Sequence, residues 1–403
     1  MTEPIPAAPP RLRSLDTFRG IIMVALAFQA FGLAAVALNH LEADPGSRLW
    51  KEVFHQAEHV EWAGCGFWDM IQPSFMFMVG VAMPFSYGAR RSRGDSYRQL
   101  LSHAVRRSLI LIFLGIFLIS NFRPSTEWSL MNVLTQIGLG YTFLFLLWGR
   151  TWGTQVVWAI VILVGTWAMY FLYPNAGVNL ETGDPSRGVS AEWAQKHLSD
   201  IPPAWHKNAN VGSAIDVPLM NALPQPERFE FNRGGYATLN FLPSLATMLF
   251  GMMAGQLLRS ERGGGGKFLI LFLAGILAIG AGELVAWAGA CPLVKRIWTP
   301  SWAVYSTGWC ALTLAVLYAV VDLGGWRKWT FPLIVVGMNS IAIYSMSMLL
   351  RTWTPETLKR HLGTGVFEWA GPMWEPMVRL TMVGMVYWLI CFAMYRQKIF
   401  VRV

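Results

Sequence analysis

The residue types best suited to chemistry gather in one stretch, His55-Gln56-Ala57-Glu58-His59-Val60-Glu61-Trp62-Ala63-Gly64, with Asp69 shortly after it. A histidine flanked by carboxylates has its protonated form favoured. One carboxylate can also fix the ring tautomer, as a general base requires. His59 and Asp69 are therefore the candidate catalytic residues, and Trp62 a candidate substrate contact. The same residues also read as a solvated His-rich loop, with Asp69 as the acidic residue favoured at a helix N-terminus. His55 and His59 stand at i and i+4, but no third ligand follows at a recognisable spacing, so no metal is expected.

Four other stretches carry polar groups in apolar surroundings. Arg13-Ser14-Leu15-Asp16-Thr17-Phe18-Arg19 opens the first apolar block, and Asp16 and Arg19 stand one helical turn apart. They read either as a helix-start acid with a boundary anchor or, with Arg13, as an anion site for a phosphorylated ligand. Lys295-Arg296-Ile297-Trp298-Thr299-Pro300-Ser301-Trp302 precedes another block; Trp298, Ser301 and Trp302 are candidate substrate contacts or an interfacial Trp belt. Asn240 opens a block as a substrate contact or a helix cap. Gly337-Met338-Asn339-Ser340 lies inside one, where a polar side chain faces a cavity or bonds to another helix.

The elements that must position these groups are helices in a membrane. A chain of 403 residues that is 54% hydrophobic and only 14% charged, with mean hydropathy +0.40, has too little polar surface for a soluble globule of that size. Apolar blocks of spanning length fall at roughly 17–38, 68–88, 105–121, 131–149, 154–173, 238–258, 267–288, 301–322, 331–350 and 377–395. The expectation is an all-α polytopic membrane protein of about ten transmembrane helices, folded as one domain over 1–403 with a long outside loop at 174–236. The polar start lacks a charged n-region and is not a cleaved signal peptide. Four cysteines make no disulfide framework, though Cys65 and Cys291 both fall outside and could pair in an oxidising compartment.

Net charge +9 would suggest nucleic acid for a soluble protein, but here the cations sit between spans and set orientation, so no nucleic-acid partner is expected. With the N-terminus inside, eighteen Lys and Arg fall inside and fourteen outside, five of the latter in 174–236, which is too long to count. Both termini and the Arg90–Arg107 cluster are thus expected in the cytoplasm. The loops 39–67 and 174–236 are expected outside, the latter ordered over the membrane face.

Taken together these stretches resemble the heparan-α-glucosaminide N-acetyltransferase family, part of a larger group of transmembrane acyltransferases. Arg13 to Gly20 is similar to its S-[LV]-D-x-F-R-G opening, and His59 to Gly64 with Asp69 to Phe75 to its H-x-x-W-x-G…D-L-x-x-P-x-F block. Asn132 to Ile137 resembles G-V-L-Q-R-[IL], Ile297 to Gly308 resembles W-T-P-S-W-x-x-Y-x-x-G, and Val336 to Ile341 resembles G-M-N-S-I. The likeness covers about 11–350. It implies acetyl transfer from cytoplasmic acetyl-CoA to the amine of a glucosamine-like sugar of a glycan across the bilayer, with His59 as the family's catalytic histidine. Arg13, Asp16, Arg19, Gln136 and Asn339 would then contact CoA. The family's Gln-Arg pair is Thr135-Gln136 here, which removes one charge. Its large luminal domain ahead of span one has no counterpart, which points to a bacterial-type member in an inner membrane.

Two other classes stay open: a transporter or flippase of a glycan or lipid precursor using Asp16, Asp69 and Asn339, and an O-acyltransferase of envelope polysaccharide. A homodimer is compatible with all three. The charge count carries a direct expectation. A cysteine at Arg187 should react with an impermeant maleimide added outside, and one at Arg93 should not. The opposite pattern would overturn the orientation.

Overall fold

The computed structural model describes residues 12–225 and 227–401, so Arg11 and Arg402, counted above, lie outside it. The described residues form helices and turns with three isolated β-bridges and no strand. In order these are α1 (Arg13–Ala27), α2 (Leu33–Ala43), α3 (Arg48–Ala57), α4 (Ile71–Ser92), α5 (Tyr97–Ser120), α6 (Val133–Leu147), α7 (Trp152–Leu172), α8 (Ala191–Leu198) and α9 (Val211–Asn221). There follow α10 (Phe241–Arg259), α11 (Gly264–Trp287), α12 (Pro300–Leu317), α13 (Phe331–Gly337), α14 (Ser340–Leu349), α15 (Trp353–Leu362) and α16 (Glu375–Arg396).

Their starts follow side-chain chemistry. Ser96 caps α5 with a reciprocal bond from Gln99, Asn132 caps α6, and Thr299 with Pro300 behind it opens α12. The first turn of α1 lacks such a cap. Instead the Asp322 carboxylate, just beyond α12, accepts from the backbone N–H of Arg13 and Ser14 at 3.0 and 3.2 Å. An acid at a helix N-terminus satisfies orphan donors and meets the positive end of the dipole.

Packing separates central from peripheral helices. On α10, Ala246, Met248, Leu249 and Met252 are fully buried, whereas α11 and α7 present Leu277, Leu284, Val161 and Val164 outward. A helix apolar all round belongs in a core, and one apolar on its outward face suits a lipid surround. Small residues set the closest seams. A side chain at Gly80 would meet the Met248 carbonyl, one at Gly251 the Phe77 carbonyl, and one at Gly337 the Asp16 carbonyl. α4 therefore lies backbone to backbone on α10, and α13 on α1.

Each of the ten apolar blocks is helical, and fewer than ten of them qualify as spans by helix length and composition. Among the described residues six helices are long and apolar enough to cross a membrane, or eight if α1 with α2 and α13 with α14 are each taken as one bent span. The other two blocks fall short for local reasons. α6 has only 15 residues, and α4 carries Gln72, Pro73, Ser74, Pro84 and two arginines in its last turn. The first bent pair breaks at Gln29, Ala30 and Phe31, all with positive φ, by 47°; the second breaks at Met338–Asn339 by 65°.

The segment 174–236 is ordered over its described residues. Val178, Val189, Ala194, Leu198 and Trp205 form a second apolar cluster with Trp62, Cys291, Val294 and Ile297. The long segment thus packs on two short loops that the next subsection describes. All four cysteines are free, so no bond joins Cys65 to Cys291.

Removing the borrowed cap should be measurable. Asp322→Ala is expected to lower the thermal midpoint in detergent, by an amount equivalent to about 1 kcal/mol. Asp322→Asn keeps an acceptor and should lose less. Equal midpoints for all three proteins would refute the capping role.

Candidate active site

Three segments meet at the site. The first runs from the end of α3 through residues 58–69 into α4. Glu58 accepts from the His59 N–H at 2.9 Å, and Gln56 accepts from the Phe67 N–H at 2.8 Å, folding the loop back on its own helix. Gly66 passes so close to the His55 carbonyl that a side chain would collide with it. That tight turn aims Asp69 at the loop. One carboxylate oxygen accepts from the backbone N–H of Val60 and Gly66 at 3.2 and 3.1 Å. The other lies 2.8 Å from His59 Nδ1. Asp69 is buried and the His59 side chain is about one-third exposed, so the imidazole is anchored at Nδ1 and open elsewhere.

The second segment is the loop before α12. Gly64 N–H donates to the Leu293 carbonyl at 2.9 Å, and Ala63 bridges to Val294. These backbone contacts bring Lys295 onto the pair: its Nζ lies 3.3 Å from Asp69 Oδ1, 2.9 Å from His59 Nδ1 and 3.5 Å from Nε2. Lys295 is 5% exposed. The third segment, 234–240, is tied in through Arg296, which donates to the carbonyls of Gly234 and Val60, and through Asn240, which donates to the Arg296 carbonyl at 2.7 Å.

The electrostatics follow from this burial. Burial pushes the Asp69 carboxyl upward, but the His59 hydrogen bond, the Lys295 charge and the Gly66 N–H outweigh it and hold the group below the usual carboxylate range. Burial brings the Lys295 ammonium down to about 8 against the pull of Asp69. Cys65, beside them, is pushed up to about 12 by burial and by the Asp69 charge, and stays a thiol.

The structure brings together only some of the residues singled out from sequence. His59 and Asp69 meet, Asn240 is tied to the adjoining loop through the Arg296 carbonyl, and His55 is exposed on α3. Trp62 is buried and donates to the Trp205 carbonyl at 3.1 Å, joining the site loop to the long outer segment. Trp298 donates to Thr247 at 3.3 Å, Ser301 donates to the Pro292 carbonyl at 2.8 Å, and Trp302 is fully buried with its Nε1 unpartnered among the described residues. The W-T-P-S-W stretch thus clamps the loop that carries Lys295. Trp298 pays for that turn with φ +45°, the left-handed region an indole rarely adopts.

Gln136 lies at the start of α6, donating to the Leu130 and Thr238 carbonyls. Its own carbonyl and that of Asn240 are buried without a partner among the described residues. Arg13 and Arg19 are at the start of α1, Arg19 3.7 Å from Asp16. Asn339 lies at the α13–α14 break and exchanges hydrogen bonds with the backbone of Ile399 and Val401. Sequence reasoning assigned Lys295 no role. The available signal was a Lys-Arg pair on the side expected to be poor in cations.

An all-helical, membrane-type fold with a His–Asp–Lys group held by loops at one end defines the class. Within it, the chain is 25% identical to human heparan-α-glucosaminide N-acetyltransferase over an alignment of 453 positions, gaps included, and 23% identical to the mouse protein of that name over one of 432. Each alignment covers 98% of this chain, so the resemblance to that family runs well beyond 11–350. The chain spans about 60% of the length of these curated relatives. No family model matches it.

Acid should weaken the site's hold on the fold. A carboxyl with a lowered folded pKa contributes stability above its unfolded value and loses it as pH falls through the folded one. Asp69→Asn strands the Lys295 charge and should cost ~3–5 kcal/mol at neutral pH. The gap between its thermal midpoint and that of the parent should hold above the unfolded carboxyl's pKa of about 3.9, narrow below it, and close once pH falls through the lowered folded value. A constant gap across that range would contradict the ionised Asp69 described here.

Proposed function

We propose that the protein is a membrane acetyltransferase that takes acetyl-CoA from the cytoplasmic face and acetylates the amine of a glucosamine-like sugar on the opposite face. The observation that carries this reading is the 2.8 Å contact between Asp69 and His59 Nδ1, which leaves Nε2 on a part-exposed ring as the base. The similarity to two N-acetyltransferases along nearly the whole chain supports the same chemistry. A transporter has no evident need for an oriented imidazole buttressed by a buried carboxylate.

In this mechanism the acceptor nitrogen attacks the thioester carbonyl while His59 Nε2 takes its proton. The C–N bond forms, and the carbonyl π pair moves to oxygen. When the tetrahedral intermediate collapses, the C–S bond breaks, its electron pair leaves on sulfur, and His59 returns the proton to the thiolate. Asp69 holds the ring and stabilises the imidazolium without taking the proton itself. A direct transfer needs only proximity and a positioned base, so it is preferred to an acetyl-histidine intermediate.

The contacts divide the remaining residues. Arg13 and Arg19, at the α1 start with Asp16 beside them, are suited to CoA phosphates on the cytoplasmic side. The unpartnered carbonyls of Gln136 and Asn240 suit the acyl and acceptor end. Trp62, Trp298, Ser301 and Trp302 act by holding the loops. Asn339, engaged with the C-terminal backbone, is assigned to the fold rather than to CoA.

His59→Ala in lipid nanodiscs should bind acetyl-CoA almost as the parent does and lose about 10²–10⁴-fold in turnover with a glucosamine-terminated acceptor. His55→Ala should keep parental turnover. Parental turnover by His59→Ala would remove the catalytic assignment.

A further inference from the structure

We propose that Lys295 is a catalytic residue that donates a hydrogen bond to the oxyanion of the tetrahedral intermediate formed beside His59 Nε2. The inference rests on the acetyl-transfer reading above. It starts from where the ammonium lies. A group on the outward lone-pair axis of Nδ1 would be far from Nε2. Lys295 Nζ is instead 2.9 Å from one ring nitrogen and 3.5 Å from the other, so it sits beside the ring and does not displace Asp69 from Nδ1.

This position puts a cation and a base side by side. An acceptor nitrogen bonded to Nε2 brings the carbonyl it attacks within reach of Nζ, the geometry expected of a base and an oxyanion donor sharing one reacting carbon. Lys295 has three N–H groups. With Nδ1–H given to Asp69, that ring nitrogen cannot accept from Nζ; the Asp69 carboxylate accepts one N–H at 3.3 Å, which leaves donor capacity for a ligand. Burying an ammonium at 5% exposure for structure alone is costly, since an ion pair of this kind rarely outperforms apolar packing.

The step balances without changing the lysine's protonation. As the C–N bond forms, the π pair localises on oxygen and accepts a hydrogen bond from Nζ. The acceptor proton goes to Nε2. On collapse the pair reforms the carbonyl, sulfur leaves with the C–S pair, and Nζ returns to its resting contacts still as an ammonium.

The groups facing Lys295 are Asp69, His59 and Cys65 from the site loop and Arg296 beside it, with Tyr236 behind Arg296 and Glu283 on α11 toward Cys65. With burial holding the ammonium near 8, an essential cation loses its function as pH rises through that value. The test uses the full chain in nanodiscs with acetyl-CoA and a glucosamine-terminated acceptor, reading kcat from pH 6 to 10. The parent should show an alkaline fall in kcat. Lys295→Met should lose about 10²–10³-fold in kcat, the cost of one oxyanion donor, with little change in acetyl-CoA binding. Lys295→Arg keeps a cation at all these pH values and should retain part of the rate without the alkaline fall.

A Lys295→Met protein with parental kcat would overturn the inference. So would an alkaline fall that persists unchanged in Lys295→Arg, or a stoichiometric acetyl group found on Lys295, which would make it a nucleophile. His59→Ala, measured in parallel, separates the two readings. If it is inactive while Lys295→Met turns over normally, only the lysine's role fails. If His59→Ala is itself fully active, the acetyl-transfer mechanism fails with it.

Discussion

The ion pair between Asp69 and Lys295 is the constraint around which the site is arranged, because both charges are almost wholly removed from water. Isolated, either charge would be prohibitively expensive there, and the two together are tolerable only if their remaining hydrogen-bonding capacity is met. The chain meets it locally. Two backbone N–H groups and the imidazole converge on Asp69, so the loop 58–69 has one conformation in which the carboxylate is satisfied. The geometry on which the proposed mechanism draws is then a by-product of charge burial: the ring that helps solvate Asp69 through Nδ1 stays about one-third exposed.

The pair also explains why so much sequence before α12 is committed to a turn. Thr299 donates to the Pro292 carbonyl at 2.7 Å and accepts from the Val294 N–H, and Ser301 donates to the same Pro292 carbonyl. Two hydroxyls, a proline and two buried indoles thus fix a loop only a few residues long. Their effect is to hold Lys295 in contact with the His59 ring and the Asp69 carboxylate. Trp298 and Trp302, candidate substrate contacts or an interfacial belt in sequence, are buried in this structure behind the loop.

How much could be read in advance depends on chain distance. His59 and Asp69 are ten residues apart, and a histidine near carboxylates at the mouth of an apolar block is visible as a local pattern. Lys295 is 226 residues from Asp69, and no local rule connects them. Helix positions were equally legible, because apolar blocks of spanning length are a composition signal. The number of spans was not, since α6 is short, α4 is diluted by prolines and polar residues, and two blocks bend. Asn339 shows the same limit. A polar side chain inside an apolar block advertises a partner, but only the folded chain reveals that the partner is the backbone near its own C-terminus.

The two bends bear on how a ligand could pass between the faces. Backbone that leaves helical geometry inside a membrane is tolerated only where protein or an internal cavity covers it. At the first bend Gly32 lies against the Pro376 carbonyl and Phe28 fills the space over Gly384, both on α16. At the second, the C-terminal residues supply hydrogen bonds through Asn339. α1 and α13, the helices that enter these bends, pack directly on each other through Gly20 and Gly337. Three consecutive non-glycine residues in left-handed geometry are costly, at roughly 1–3 kcal/mol each, and persist only where surrounding contacts over-determine them. The strain therefore sits just beyond α1, the helix whose first turns carry Arg13 and Arg19, the proposed CoA end.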